Sequence, residues 1–82
     1  MSVSLDFNTI HLQGDCRVED AEPLLTLLQA EPHRTVDLTA VTHLHAAVVQ
    51  VLLAMRPTVV GSAADPFVRL WLAPLLARPF SA

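Results

Sequence analysis

Strand-like and helix-like segments alternate along this chain, and the alternation restricts its fold more than any single motif does. The strand-like segments are a hairpin or irregular strand around Asn8-Thr9, then Thr35–Thr39 and the short Thr58–Gly61, and polar and apolar residues alternate in the first two. Apolar residues recur at helical spacing in the other segments, which start at Asp20, span Leu44–Met55 and start again at Asp65. The order β(β)αβαβα predicts an α/β fold with helices connecting the strands.

Glycine, proline and aspartate mark the ends of these segments. Gly14-Asp15 is expected to end the first strand pair. Asp20 is expected to cap the first helix, and Pro32 to end it. The pair Asp65-Pro66 predicts the start of the last helix, because aspartate caps helices and proline fits the first helical position. Pro74 is expected to kink or end that helix.

The composition fits one small domain over residues 1–82 that leaves part of its apolar surface exposed. Apolar residues make up 52% of the chain and charged residues only 16%. A domain of this size buries only about 60–65% of its unfolded surface, so some apolar side chains stay outside. Because contiguous exposed apolar patches usually belong to interfaces, we expect a homodimer or an obligate protein partner.

The charges and the single cysteine argue against several classes of protein. The formal net charge is -3, lysine is absent and the arginines are scattered, whereas nucleic-acid binding requires clustered basic residues. The amino terminus lacks the pattern of a signal peptide, and no apolar run approaches the roughly 20 residues of a membrane span. Cys16 has no second cysteine with which to form an internal disulfide. We therefore expect a cytoplasmic protein that neither spans a membrane nor binds nucleic acid.

A family resemblance is carried by three stretches. Between Val36 and Ala54 the chain reads VDLTAVTHLHAAVVQVLLA. This stretch resembles the central signature of STAS domains (sulfate transporter and anti-sigma factor antagonist), in which a strand of the type LDLSGV leads into xxDSSGLxxLL on the next helix. The opening strand and first helix of that family resemble IHLQGDCRVEDAEPLLTLL, and its next strand, loop and helix resemble VVGSAADPFVRLWLAPLL. About residues 10–76 are covered.

The resemblance implies a small sheet with helices mainly on one side, no catalytic activity, no cofactor, and docking to other proteins in bacterial regulation. Family members are often switched by a partner kinase that phosphorylates the first serine of DSSG. By position, the aspartate corresponds to His45, the serines to Ala46 and Ala47, and the glycine to Val48. Because alanine has no oxygen to accept a phosphoryl group, the switch should be absent at Ala46.

The resemblance also places the partner contact at the corner between this strand and this helix. The expected contact residues are His43, His45, Ala46, Ala47 and Gln50. Gln50 is a lone polar residue on an apolar helix, which indicates a surface position or a hydrogen bond across an interface. Thr42 and Ser62 are candidate substitutes for the missing phosphate acceptor. The expected partner is a kinase or an anti-sigma-like regulator.

Two other functions remain open from the sequence. One is an accessory subunit of an ABC-type membrane transport complex, as some short STAS-like proteins are, docking on its cytoplasmic ATPase. The other is a small metal-binding protein or hydrolase that uses His43, His45 and Ser62, although two histidines alone do not make a metal site. Many family members continue into another strand and helix beyond the point where this sequence ends at Ala82, so we expect a fold trimmed at its carboxyl end, with an uncovered strand edge.

Half of the acidic residues cluster around the start of the first helix, at Asp15, Glu19, Asp20 and Glu22. Negative side chains are favoured there by the helix dipole. The alternative interpretation is that they form one rim of a binding surface for a basic partner.

Overall fold

Four strands form one mixed sheet in the structure, a computed structural model that describes residues 2–63 and 65–77. They are β1 (Val3–Asp6), β2 (Thr9–Cys16), β3 (Thr35–Leu44) and β4 (Thr58–Val60), which lie side by side in that order. β1 pairs with β2 in antiparallel orientation, and β2, β3 and β4 run parallel to each other. The predicted α/β class is confirmed. The carboxyl end at which a trimmed fold was expected, residues 78–82, lies outside the described residues.

Three helices connect or follow the parallel strands. They are α1 (Ala21–Ala30), α2 (Ala46–Met55) and α3 (Ala73–Ala77). A short 3-10 turn over Val18–Asp20 precedes α1, and a π-helical segment over Val68–Leu72 precedes α3. α1 and α2 pack against each other. α1 connects β2 to its parallel neighbour β3, and α2 connects β3 to its parallel neighbour β4. Because both crossovers are right-handed and advance in the same direction across the sheet, the two helices lie on one face of it.

The core lies between that face and the helices. One hydrophobic cluster contains buried residues of the sheet, of α1, of α2 and of the last helical region, among them Ile10, Leu12, Val36, Leu38, Leu24, Leu28, Val48, Leu52, Val68 and Leu72. On the opposite face His11 and Asp37 keep 31% and 24% of their side chains exposed. Fully burying a valine, leucine or isoleucine contributes about 1.5–3 kcal/mol. Within the described part of the chain, the helices therefore stabilise the sheet from one side.

The first two strands form the predicted hairpin, but two details differ from expectation. The tight turn consists of Phe7 and Asn8, so Phe7 leaves the strand, adopts a positive φ of 53° and is 95% exposed. Gly14 and Asp15 do not end β2, which continues to Cys16. Instead, Gly14 has a φ of 67° and the pairing with β3 shifts by one residue between Gly14 and Asp15. A glycine with positive φ therefore marks an irregularity inside the strand and not its end.

β3 is twice as long as predicted, because the strand was expected to end at Thr39 and continues to Leu44. The pairing with β2 shifts twice, and at each shift β3 contributes an extra residue. The next helix accordingly starts at Ala46 and not at Leu44. The helix ends at Met55 as expected, where the following Arg56 adopts the left-handed conformation that commonly terminates helices.

The other helix predictions have mixed outcomes. The Asp65 carboxylate accepts a hydrogen bond from the Val68 N–H at 3.0 Å and helical backbone begins at Pro66, so that cap is confirmed. Asp20 does not cap α1, because its carboxylate reaches back and accepts from the Arg17 N–H at 2.8 Å. Pro74 does not end the last helix. The turn before it widens into the π-helical segment, which accommodates the missing N–H and the proline ring.

Several large apolar side chains stay at the surface, as the composition predicts. On the last helical region they are Phe67, Leu70, Trp71 and Leu75, and elsewhere they include Leu5, Phe7 and Val18. Across residues 2–63 and 65–77, no helix has both the length and the apolar character needed to cross a bilayer.

Candidate functional site

The candidate site is the corner of the molecule where β2 and β3 end and α2 begins. The last residues of the two strands, Cys16 and Leu44, pair with each other, and the His45 N–H donates to the Cys16 carbonyl at 2.7 Å. An open cavity of about 480 Å³ lies at this end of the sheet. We call its lining residues the corner: Asp15, Arg17, Val18, Glu19, His43 and His45. Two of the predicted contact residues, His43 and His45, therefore lie together in it.

His45 builds the start of α2 with its own side chain. Its backbone is extended, and its imidazole Nδ1 accepts a hydrogen bond from the Ala47 N–H at 3.0 Å. The bond satisfies one of the amide donors that a helix start leaves unpaired. It also requires Nδ1 to be unprotonated, so the neutral ring carries its proton on Nε2 and can donate it to a partner.

The second histidine belongs to a small polar network across the strand ends. His43 Nδ1 lies 3.3 Å from one carboxylate oxygen of Asp15, and Arg17 Nε lies 3.4 Å from the other. All three side chains are more than half exposed, so these contacts are screened by water and add little stability. The network leaves polar groups of both charges at the rim of the cavity.

The outward side of α2 is smooth and uncharged. Ala46, Gln50 and Ala54 follow each other at intervals of four residues and are all exposed, so they form what we call the outer face of α2. Ala47 is half-buried beside them. No charged residue occurs anywhere in Ala46–Met55. Exposed helices usually carry charged residues on the side that faces water, which makes this face unusual for a surface in contact with solvent alone.

The remaining candidate residues are not all brought to the corner. Thr42 is exposed on β3 but does not line the cavity. Ser62 follows β4, whose last residue Val60 lies level with Asp37, six positions before His43. Ser62 is not among the residues that line the cavity with the two histidines. Within the part of the chain that the structure describes, no group of three or more potential ligands is arranged to hold a metal ion.

Cys16 lies under the corner as a buried thiol. Burial, followed by the negative charge of Asp20, raises the pKa of this thiol to about 11. The side chain is therefore protonated and shielded at neutral pH, which makes it a poor nucleophile and a poor metal ligand. The corner residues themselves include no hydroxyl group.

A second polar cluster on the same strand is a structural unit that the sequence did not reveal. Asp37 accepts from the N–H and the hydroxyl of Thr39 at 2.9 and 2.6 Å and lies 3.2 Å from His11 Nδ1. The two bonds from Thr39 and the nearby His11 lower the pKa of the Asp37 carboxyl. Gly61 fits against this cluster because a Cβ there would overlap the Thr39 hydroxyl. The positive φ of 89° at Gly61 is likewise suited to glycine.

Asp15, Arg17, Val18 and Glu19 are corner residues that the sequence interpretation did not connect with the histidines. The acidic cluster was interpreted as residues favoured at a helix start, with one rim of a binding surface as the alternative. The available signal was the parallel pairing of β2 and β3, because the carboxyl ends of neighbouring parallel strands meet at one edge of a sheet. Residues that follow β2 must therefore lie beside residues at the end of β3.

Comparison with known proteins gives no further identification. No protein family model, no curated protein sequence and no solved structure matches the chain.

Proposed function

We propose that this protein is a non-catalytic protein–protein interaction module of the STAS or anti-sigma factor antagonist type, acting in bacterial regulation. The partner contacts the corner and the outer face of α2. One observation carries the proposal, namely that α2 lies at the surface without a single charged residue over its ten positions. A helix of that kind fits the apolar centre of a protein interface better than a face in contact with water.

The residues around α2 have the chemistry of a typical protein–protein interface, which supports the proposal. Ala46 and Ala47 offer a flat apolar centre, and the His45 ring offers a hydrogen-bond donor next to it. His43, Asp15 and Arg17 line the cavity together with His45 and add exposed polar groups of both charges on that side. Protein interfaces combine an apolar centre depleted of charge with a polar rim in the same way.

The element order supports the STAS assignment beyond the resemblance of the sequence motifs. An antiparallel hairpin followed by parallel strands, with the helices on one face, is compatible with the sheet that the resemblance implies. The family's phosphoacceptor serine corresponds to Ala46, which is exposed at the start of α2. Because a methyl group cannot be phosphorylated, the contact in this protein is not switched at that position.

The proposal is tested by covalent capture from the outer face of α2. A photo-crosslinking residue replaces Gln50 in one variant and Gln29, an exposed glutamine on α1, in the matched control. Crosslinking in a bacterial lysate, followed by mass spectrometry, should give one dominant partner from Gln50 and none from Gln29. A kinase or an anti-sigma-like regulator supports the proposal, whereas a transporter ATPase replaces it with the accessory-subunit function.

Charge variants at the same two positions complete the test. Gln50→Glu buries an unpaired charge in the contact and should weaken capture at least about tenfold, which corresponds to about 1.4 kcal/mol. Gln29→Glu should capture the partner as the unchanged protein does. Equal capture by both variants would place the contact elsewhere on the molecule and contradict the proposal.

A further inference from the structure

β1 has an outer edge along which backbone groups point away from the sheet. It is the first strand in the sheet order, and among the described strands it pairs with β2 alone. A two-residue turn closes the hairpin at Asp6 and Thr9, and the Gln13 N–H donates to the Ser2 carbonyl at 2.8 Å. Hydrogen-bonded pairs alternate with unbonded pairs in antiparallel strands. The N–H and C=O groups of Val3 and Leu5 therefore point outward, along the edge.

A groove runs between this edge and α1. It has a volume of about 560 Å³ and is lined by residues of β1, of the 3-10 turn and of α1, among them Pro23, Thr26 and Leu27. Val3 and Leu5 pair with the buried residues Leu12 and Ile10, so their side chains face the same side of the sheet as α1. Leu5 is nevertheless 41% exposed, because nothing in the described chain fills the groove beside it.

The described lining of the groove carries charge of one sign, which is negative. Among the described residues that line it, only Glu19 and Glu22 are charged, and both are exposed. The ion pairs formed between described residues use Asp15 and Asp37, and neither groove glutamate takes part in them. An approaching basic side chain would therefore find two carboxylates without a cationic neighbour at ion-pair distance in the described structure.

We propose that this groove binds an extended segment of a partner protein, which adds to β1 as a further strand. The outward N–H and C=O groups of Val3 and Leu5 bond the backbone of the segment, and alternate apolar side chains enter the groove beside Leu27. A lysine or arginine of the segment lies against Glu19 and Glu22. When an extended peptide binds at a strand edge, main-chain hydrogen bonds provide the affinity, and the pockets that receive its side chains provide the specificity.

The charge favours this occupant over a second copy of the protein. A copy that paired its own β1 with this edge would supply Val3–Asp6, which contains no basic residue and brings the carboxylate of Asp6. The groove would then keep its uncompensated negative charge. A basic and apolar segment satisfies both the edge and the glutamates.

Residue-level hydrogen exchange tests the proposal. The probe is a short capped peptide in which valine alternates with serine and one end carries arginine; its matched control has glutamate in place of arginine. The arginine peptide should slow exchange of the Val3 and Leu5 amides at least about tenfold, and the glutamate peptide should have no such effect at the same concentration. The Ser4 and Asp6 amides, already bonded to β2, should change little.

Two variants locate the site. Leu5→Pro removes an outward donor without removing a bond to β2, and Thr26→Arg places a cation in the groove beside the glutamates. Each should weaken binding of the arginine peptide at least about tenfold. Gln29→Arg, on the same helix but outside the groove lining, should bind the peptide unchanged.

Three results would overturn the proposal. Equal protection by both peptides would remove the role of Glu19 and Glu22. Protection of Val3 and Leu5 that grows with protein concentration in the absence of peptide would assign the edge to a second copy. Thr26→Arg keeps α1 intact, so its result does not depend on whether Leu5→Pro folds. Unchanged binding of the arginine peptide by Thr26→Arg would place the peptide outside the groove.

Discussion

The helices α1 and α2 perform the same structural task with different surfaces. Each is ten residues long, each follows a parallel strand, and each buries two residues completely at a spacing of four, namely Leu24 and Leu28 in α1 and Val48 and Leu52 in α2. The exposed residues of α1 are Glu22, Pro23, Thr26, Gln29 and Ala30, three of them polar, whereas those of α2 are Ala46, Gln50 and Ala54, of which only Gln50 is polar.

The comparison shows which apolar residues the fold requires. α1 is held in place by a few buried side chains, although its outward side is mostly polar. Because α2 has the same length and an equivalent place beside the sheet, it does not need an apolar outward side to stay in place. A surface feature that the core does not explain calls for another explanation, and contact with a protein partner supplies one. The two helices therefore separate what stabilises the domain from what it presents to others.

The comparison fails if the two helices do not contribute equally to the core. Leu28→Ala and Leu52→Ala each remove a fully buried side chain, and each should lower the free energy of unfolding by about 2–5 kcal/mol in urea denaturation. An exposed leucine provides the control, and Leu70→Ala should cost less than about 1 kcal/mol. A loss of under about 1 kcal/mol for either buried leucine would show that its helix is not part of the common core.

The two helices also differ in how they begin, and the expected effect of this difference on stability is smaller. α2 begins with the His45 side chain as its cap, whereas no side chain caps α1 and Asp20 bonds back to Arg17. His45→Ala should therefore lower the free energy of unfolding by about 1 kcal/mol in urea denaturation at neutral pH.

His43→Ala is the matched control, because this exposed histidine makes only a long contact to Asp15. It should change the free energy of unfolding by less than about 0.5 kcal/mol. Equal losses for the two histidine variants would show that the Nδ1 bond to Ala47 is not what stabilises the start of α2.

Element type was predictable from the sequence, whereas the lengths of β2 and β3 were not. The start of the last helix was readable because Asp65 and Pro66 act on their immediate neighbours. The end of β3 was not, because two extra residues in its pairing place buried side chains at Leu38, Val41 and Leu44. That spacing of three breaks the alternation of a regular strand, so the pattern predicted a strand end at Thr39 and a helix from Leu44.

The candidate sites depend on contacts between distant segments, and the sequence revealed them only in part. His43 and His45 were identified through the family resemblance, but Asp15 and Arg17 join them only through the pairing of Cys16 with Leu44. The groove beside β1 was invisible for the same reason. Its two walls are separated in the chain and become neighbours only when α1 packs over the hairpin.

The free energy of unfolding of one triple variant tests the central claim, which is that the outer face of α2 serves a partner and not the fold. The variant combines Ala46→Glu, Gln50→Glu and Ala54→Lys, measured by urea denaturation at low protein concentration. The first change places a negative charge at a helix start, which is favourable, and the attraction between the changes at positions 50 and 54 offsets the repulsion between those at positions 46 and 50, so stability should change by less than about 1 kcal/mol. A loss of more than about 2 kcal/mol would mean that the domain itself needs the uncharged face, which contradicts the claim.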